Sequence, residues 1–108
     1  MSRALLDLVA ARFRALAEPA RLHILDTLRD GELTVGGIVE RTELSQANAS
    51  RHLRQLHDLG FVSRRKDGLH VHYAIADRKV FQLCDLVCGQ VDADLAARRR
   101  VVAVHLKA

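Results

Sequence analysis

Between Ser2 and Ala17 the apolar residues return every three or four positions, at Leu5, Val9, Phe13 and Leu16. That spacing predicts an amphipathic helix with one strong apolar face. Glu18 and Pro19 interrupt it, and proline suits the first turn of a second helix. In this second helix Leu22, Ile24, Leu25 and Leu28 are expected to face inward, with Gly31 closing the C-terminus. Thr34 is the expected N-cap of a short third helix that holds Ile38 and Val39 and stops near Thr42. A three-residue connection then leads to a fourth helix capped by Ser45. Its Ala49, Leu53 and Leu56 recur at i, i+4 and i+7, within about 60° of one another, and form the buried line.

Helical projection from Ala49 puts Ala47, Ser50, Arg51, Arg54 and Gln55 on the opposite side of this fourth helix. Short polar groups near its start and arginines one turn on suit a nucleic-acid groove, and they also suit an ordinary wet surface. Two helices joined by three residues, the second polar on its outer face, have the spacing of a helix-turn-helix. After Gly60 the period changes from 3.6 to 2. The segments "FVSRRK" and "LHVHYAI" flank Asp67-Gly68, a strong hairpin signal because both residues tolerate positive φ. Pairing outward from that dipeptide sets Val62 near Tyr73, with Val71, Tyr73 and Ile75 on one face and His70 and His72 on the other. Asp77 is placed to cap a last long helix, in which Val80, Cys84, Val87, Cys88, Val91 and Leu95 make a continuous stripe, and which can run on through Arg98, Arg99 and Arg100. No internal repeat, low-complexity segment or linker interrupts the chain.

At 108 residues the chain fits one domain with a modest core. No apolar run approaches the ~20 residues of a membrane span. Charges break up the apolar stretch of "MSRALLDLVAARF", which argues against a secretory signal, so a cytoplasmic protein is expected. The net charge of +4 and pI near 9.7 favour an anionic partner. Nothing in the pattern asks for an enzyme: no nucleophile stands beside a base, and there is neither a glycine-rich phosphate loop nor metal-ligand spacing with an open position.

Four helices, a basic hairpin and a last helix, in that order, look like a winged helix-turn-helix. The segment from Phe13 to Ile75 resembles the ArsR family of small bacterial dimeric repressors, through "ALAEPARLHIL", "LSQANASRHLRQL" and "GLHVHYAI" in succession. The resemblance implies a mostly α fold with a small β-hairpin, five helices and a two-stranded wing. On this reading residues 1–108 form a single winged helix-turn-helix domain, with terminal dimerisation helices at about residues 2–17 and 78–104. It also implies a homodimer that occupies a double-stranded DNA operator, blocks transcription and lets go when an inducer binds. The first and last helices carry more apolar surface than a small core absorbs, so Leu5, Val9, Phe13, Val87 and Val91 are the expected dimer contacts. A two-fold dimer calls for an inverted repeat with half-sites roughly 34 Å apart.

A recognition helix reads base edges from its first turns, which makes Gln46, Ala47, Ser50 and Arg51 the expected groove-facing set, with Ser45 and Arg54 nearer the phosphates. Gln and Arg can make bidentate contacts to adenine and guanine. On the wing, Arg64, Arg65, Lys66 and His70 are expected to meet the backbone or minor groove, adding salt-dependent affinity. His52, at the flank of the buried line, is expected to pack or position. A protein-interaction winged helix that never touches DNA is the rival, and it calls for an acidic or apolar outer face, against which Arg51 and Arg54 argue.

Family members differ in where an inducer binds. The pattern with cysteines at "ELTVGGI" is absent, since Thr34 and Gly36 stand there. The zinc or nickel pattern on the last helix keeps Asp77 but has Lys79, Gln90 and Ala93 at the other positions, and an ammonium does not ligate without losing its proton. The persulfide pattern needs a cysteine in the second helix, which has none. Cys84 and Cys88 remain, a turn apart on one helix face. Two readings stand for them. As a thiol pair they could take a soft metal or metalloid ion (arsenite, mercury, cadmium or copper(I)) or be oxidised, with the dimer mate or a residue such as His105 completing the ligand set. As members of an apolar stripe they pack as small hydrophobes in the core of a regulator that needs no such ligand. His70 and His72 lack a third ligand and read as wing surface, and His23 and His57 have no evident partner.

Overall fold

The computed structural model describes the backbone of residues 1–107 and the side chains of residues 1–101. Five helices and three strands follow in the order α1 (Arg3–Leu16), α2 (Pro19–Thr27), β1 (Leu33–Thr34), α3 (Val35–Thr42), α4 (Gln46–Asp58), β2 (Val62–Asp67), β3 (His70–Ile75) and α5 (Lys79–Lys107). Met1–Asp77 form one compact unit and Arg78–Ala108 a second, which is essentially α5.

Side-chain caps fix the helix starts where short polar residues stand. Ser2 accepts from the Leu5 N–H at 3.1 Å, Thr34 from the Gly37 N–H at 3.1 Å and Ser45 from the Asn48 N–H at 3.1 Å. Each cap satisfies one of the donors that a helix N-terminus leaves without a partner. Pro19 opens α2 as expected, but α2 ends at Thr27, with Leu28 as C-cap, short of Gly31. Gly31, at φ +147°, belongs to the following turn, where its N–H reaches the Leu28 carbonyl at 3.3 Å. Ile24, Leu25 and Leu28 are buried, whereas Leu22 is 40% exposed. Leu22 lies about 110° round the helix from the centre of the other three, outside the inward arc. Arg21 takes the place within that arc.

The helix-turn-helix is α3, residues 43–45 and α4. Glu43 adopts the left-handed conformation, φ 60°, and its N–H closes α3 on the Val39 carbonyl. Buried Thr42 holds the corner: its hydroxyl donates to the Ile38 carbonyl at 2.8 Å and accepts from the Leu44 N–H at 3.4 Å. Ala49, Leu53 and Leu56 are fully buried with Ile24, Leu25, Leu28 and Ile38, so the predicted line is the seam of this unit.

α4 hands the chain to the wing through a Schellman turn. The Gly60 N–H binds the His57 carbonyl at 3.0 Å and the Phe61 N–H binds the Leu56 carbonyl at 2.9 Å, with Gly60 at φ +81°. The wing is part of a three-stranded antiparallel sheet of order β1-β3-β2, rather than a lone two-stranded hairpin, because Leu33 and Thr34 pair with Tyr73 and His72. Its register also differs from the expected one. Asp67 pairs with His70 and Val62 with Ile75, not Tyr73, so Gly68 and Leu69 make the turn. Of those two residues only Gly68 has positive φ, +61°, the pattern of a two-residue hairpin with glycine at the first central position. The shift is two residues, an even number, so every side chain keeps its predicted face.

Candidate functional site

The outer side of α4 is where the chemistry gathers. Ser45, Gln46, Ala47, Arg51 and Arg54 are exposed and Ser50 is half-buried, all displayed from a helix whose opposite line is fully buried. Ser45 has one lone pair committed to the cap, and its hydroxyl hydrogen is still able to donate. Asn48, which sequence reasoning passed over, is exposed one turn before Arg51, and its Oδ1 accepts from Arg51 Nη2 at 3.2 Å. This hydrogen bond orients the guanidinium along the helix, and asparagine is itself a side chain able to pair with an adenine edge.

The four wing residues do not form one set. Residues facing each other across the strands share a face, so Arg64 and Lys66 lie with Tyr73 and Val71, while Arg65 lies with His72 on the other side, as does His70 with Asp67. Arg64, Lys66 and His70 are exposed, and Leu69 at the tip is 99% exposed. Arg65 is engaged. Its Nη2 and Nε reach the two carboxylate oxygens of Glu32, its Nη1 lies 3.6 Å from Asp67, and Glu32 also approaches His72 Nδ1 at 3.9 Å. The arginine's hydrogen bond holds the Glu32 carboxyl below the usual carboxylate range. Arg65 therefore ties β2 across β3 to the residue preceding β1.

Arg21 is the second residue missed from the sequence. It donates from Nε to the Ala15 carbonyl at 2.6 Å and from Nη2 to the Arg14 carbonyl at 3.3 Å. Its Nη1 donates to Gln55 Oε1 at 2.8 Å and lies 3.3 Å from His52 Nδ1. A guanidinium offers only donors, so His52 Nδ1 must be the acceptor, in a neutral ring. His52 is 8% exposed. Burial, followed by the positive charges of Arg21 and Arg51, pushes its pKa below the ordinary histidine value. The packing role expected of His52 is the one observed. The signal for Arg21 was present in the chain: it projects about 40° from Leu25, inside an otherwise apolar arc.

Leu5 and Phe13 on α1 are exposed, Phe13 by 55%, and Val9 is half-exposed. Along the α5 stripe Val80 is buried, Cys84 half-buried, and Val87, Cys88, Val91 and Leu95 exposed. Both helices thus present apolar side chains to solvent. Neither cysteine is in a disulfide. Among the described residues no three His, Cys, Asp or Glu side chains gather as a metal site, and His105 lies outside the described side chains. No helix among the described residues is long and apolar enough to cross a membrane.

The family model for "Bacterial regulatory protein, arsR family" matches residues 18–64, from the start of α2 to the base of the wing. A probable mercury resistance operon repressor of Streptomyces lividans is 43% identical over 77 residues, which are 71% of this chain and 62% of that protein. This chain thus spans less than two thirds of that relative's length. Two solved structures are similar throughout the fold. Rv0081 of M. tuberculosis is 32% identical with a TM-score of 0.80, over 90% of this chain and 98% of that one. The homodimeric winged helix-turn-helix DNA-binding domain of Mb0332 from Mycobacterium bovis, a possible ArsR-family transcriptional regulator, is 39% identical with a TM-score of 0.76, over 88% and 91%. A winged helix-turn-helix built on these residues, with such relatives over nearly its whole length, belongs to the ArsR family.

Proposed function

We propose that the chain is a sequence-specific transcriptional repressor that binds an inverted-repeat DNA operator as a homodimer and is released by an inducer. The observation that carries this reading is the α4 face. Gln46, Ala47, Asn48 and Arg51 project from the first two turns of a capped helix whose other side is locked into the core. Base edges are read from this part of a recognition helix. Ser45 and Arg54 flank the set toward the phosphates, with Ser50 at its half-buried edge. Arg64, Lys66 and His70 supply wing contacts on two sides of the hairpin. Leu5, Val9 and Phe13 on α1 and Val87 and Val91 on α5 are the surfaces a second copy covers, as the homodimeric M. bovis relative supports.

The inducer reading rests on Cys84 and Cys88, spaced one turn apart, the second exposed. Thiolates prefer soft ions such as mercury, cadmium, arsenite or copper(I), and a mercury-resistance repressor is among the relatives. The test is DNA release by the reduced protein on a fragment from upstream of its own coding sequence, titrated with arsenite, cadmium, mercury, zinc and a persulfide donor. Release by one soft thiophile, abolished in Cys84→Ser/Cys88→Ser, is the expected outcome. Binding that none of them releases would leave a ligand-independent regulator whose cysteines pack, the reading that half-buried Cys84 favours. Failure to bind any duplex at low salt would leave a winged helix that recognises protein.

A further inference from the structure

We infer that Arg21 is a positioning residue for DNA binding: it sets the recognition helix against the end of α1 without touching DNA itself. The inference rests on the DNA-binding reading above. One guanidinium meets four acceptors from two directions. Two are the Arg14 and Ala15 carbonyls at the end of α1, and two are His52 Nδ1 and Gln55 Oε1 on α4. These carbonyls stand at the negative end of α1, where a cation is favoured, and the Arg14 carbonyl also accepts from the C-cap Ala17 N–H at 3.2 Å. His52 and Gln55 directly follow Arg51 and Arg54 in sequence, so their anchoring adds to the buried Ala49, Leu53 and Leu56 line in holding the direction in which those arginines point.

α1 and the C-terminal half of α4 are separated by a solvent-open groove of about 280 Å³, lined by Ala11, Ala15, Gln55, Asp58 and Leu59 among others. Arg21 lines the same groove and hydrogen-bonds to the helices on both of its sides. Arg21 thereby joins the helix that carries exposed Leu5 and Phe13 to the helix that carries exposed Arg51 and Arg54. Lysine cannot replace it, because a point charge with three donors does not reproduce a planar fork that serves four acceptors.

The test compares wild type with Arg21→Gln, Arg21→Lys and Gln55→Leu for binding to the upstream fragment over a range of salt, with circular dichroism and solution mass recorded for each. Arg21→Gln and Arg21→Lys should bind roughly tenfold more weakly. The slope of log K against log salt should be unchanged in Arg21→Gln, since Arg21 neutralises no phosphate. Gln55→Leu, which leaves the α1 carbonyls capped, should bind several-fold more weakly with the same slope, and it serves as the reference where an Arg21 variant does not fold. Wild-type affinity in Arg21→Lys, or in Gln55→Leu, overturns the inference. So does a slope in Arg21→Gln shallower by about 0.9, the signature of one phosphate no longer neutralised. Wild-type protein that binds no duplex overturns the DNA-binding reading itself, an outcome distinct from any variant result.

Discussion

Arg65 and Glu32 form a bidentate ion pair that crosses the middle strand of the wing, with Arg65 Nε 3.5 Å from Glu32 Oε2 and Nη2 on Oε1. β1 is only two residues long, and it leads directly into α3 through the Thr34 cap. The pair therefore fastens the far strand of the wing to the start of the helix-turn-helix. Arg65, though exposed, is paired with Glu32 and Asp67 and is expected to contribute less to phosphate binding than Arg64 and Lys66, which stand exposed on the opposite face.

The salt dependence of DNA binding separates these residues. Arg64→Gln and Lys66→Gln should each reduce the slope of log K against log salt by about 0.9 for every phosphate that the cation neutralised. Arg65→Gln should reduce it less. Anisotropy titrations between low and moderate salt measure all three.

His52 makes stability depend on pH in a definite direction. Its folded pKa lies below the ordinary value, so the unfolded chain binds more protons at mildly acidic pH. The stability contributed by the neutral ring is present in full above the ordinary histidine pKa of about 6.5 and is lost as pH falls below it. Protonation also puts a positive ring against the Arg21 guanidinium. Thermal melts from pH 8 to 5.5 should show a falling Tm in wild type and a smaller fall in His52→Gln, whose amide oxygen can still accept from Arg21.

Gly60 is required by its backbone alone. A Cβ there would meet nothing within 4 Å, yet φ is +81°. Gly60→Ala should destabilise the protein by about 1 kcal/mol, the order of cost of placing an L side chain in left-handed geometry. Because Gly60 turns α4 into β2, the same variant should weaken wing contacts to DNA more than it affects dimer mass. Urea unfolding, DNA titration and sedimentation together check both parts.

Features encoded locally were legible in the chain. The Thr34 and Ser45 caps, the three-residue corner and the Ala49, Leu53, Leu56 line depend on residues within a turn or two of one another. The hairpin was legible in kind but not in register, because Asp67-Gly68 and Gly68-Leu69 both satisfy the glycine requirement and only pairing along the strands chooses between them. β1 and the Glu32–Arg65 pair were illegible for a different reason: the pair joins residues 33 positions apart in sequence, and β1 forms only by reaching β3. The split of Arg64 and Lys66 from Arg65 could have been taken from the period of two alone. Arg21 was legible too, as a charged residue standing inside an otherwise apolar arc of α2.

The exposed face of α4 is proposed to read DNA sequence, a role measured by discrimination between duplexes. It is tested most directly by comparing wild type and Arg51→Ala on the upstream fragment and on a scrambled duplex of the same length. Wild type should strongly prefer the upstream fragment, and Arg51→Ala should lose about 1–3 kcal/mol on it while binding the scrambled duplex nearly unchanged, so that discrimination shrinks. Equal weakening on both duplexes, or none on either, would contradict it.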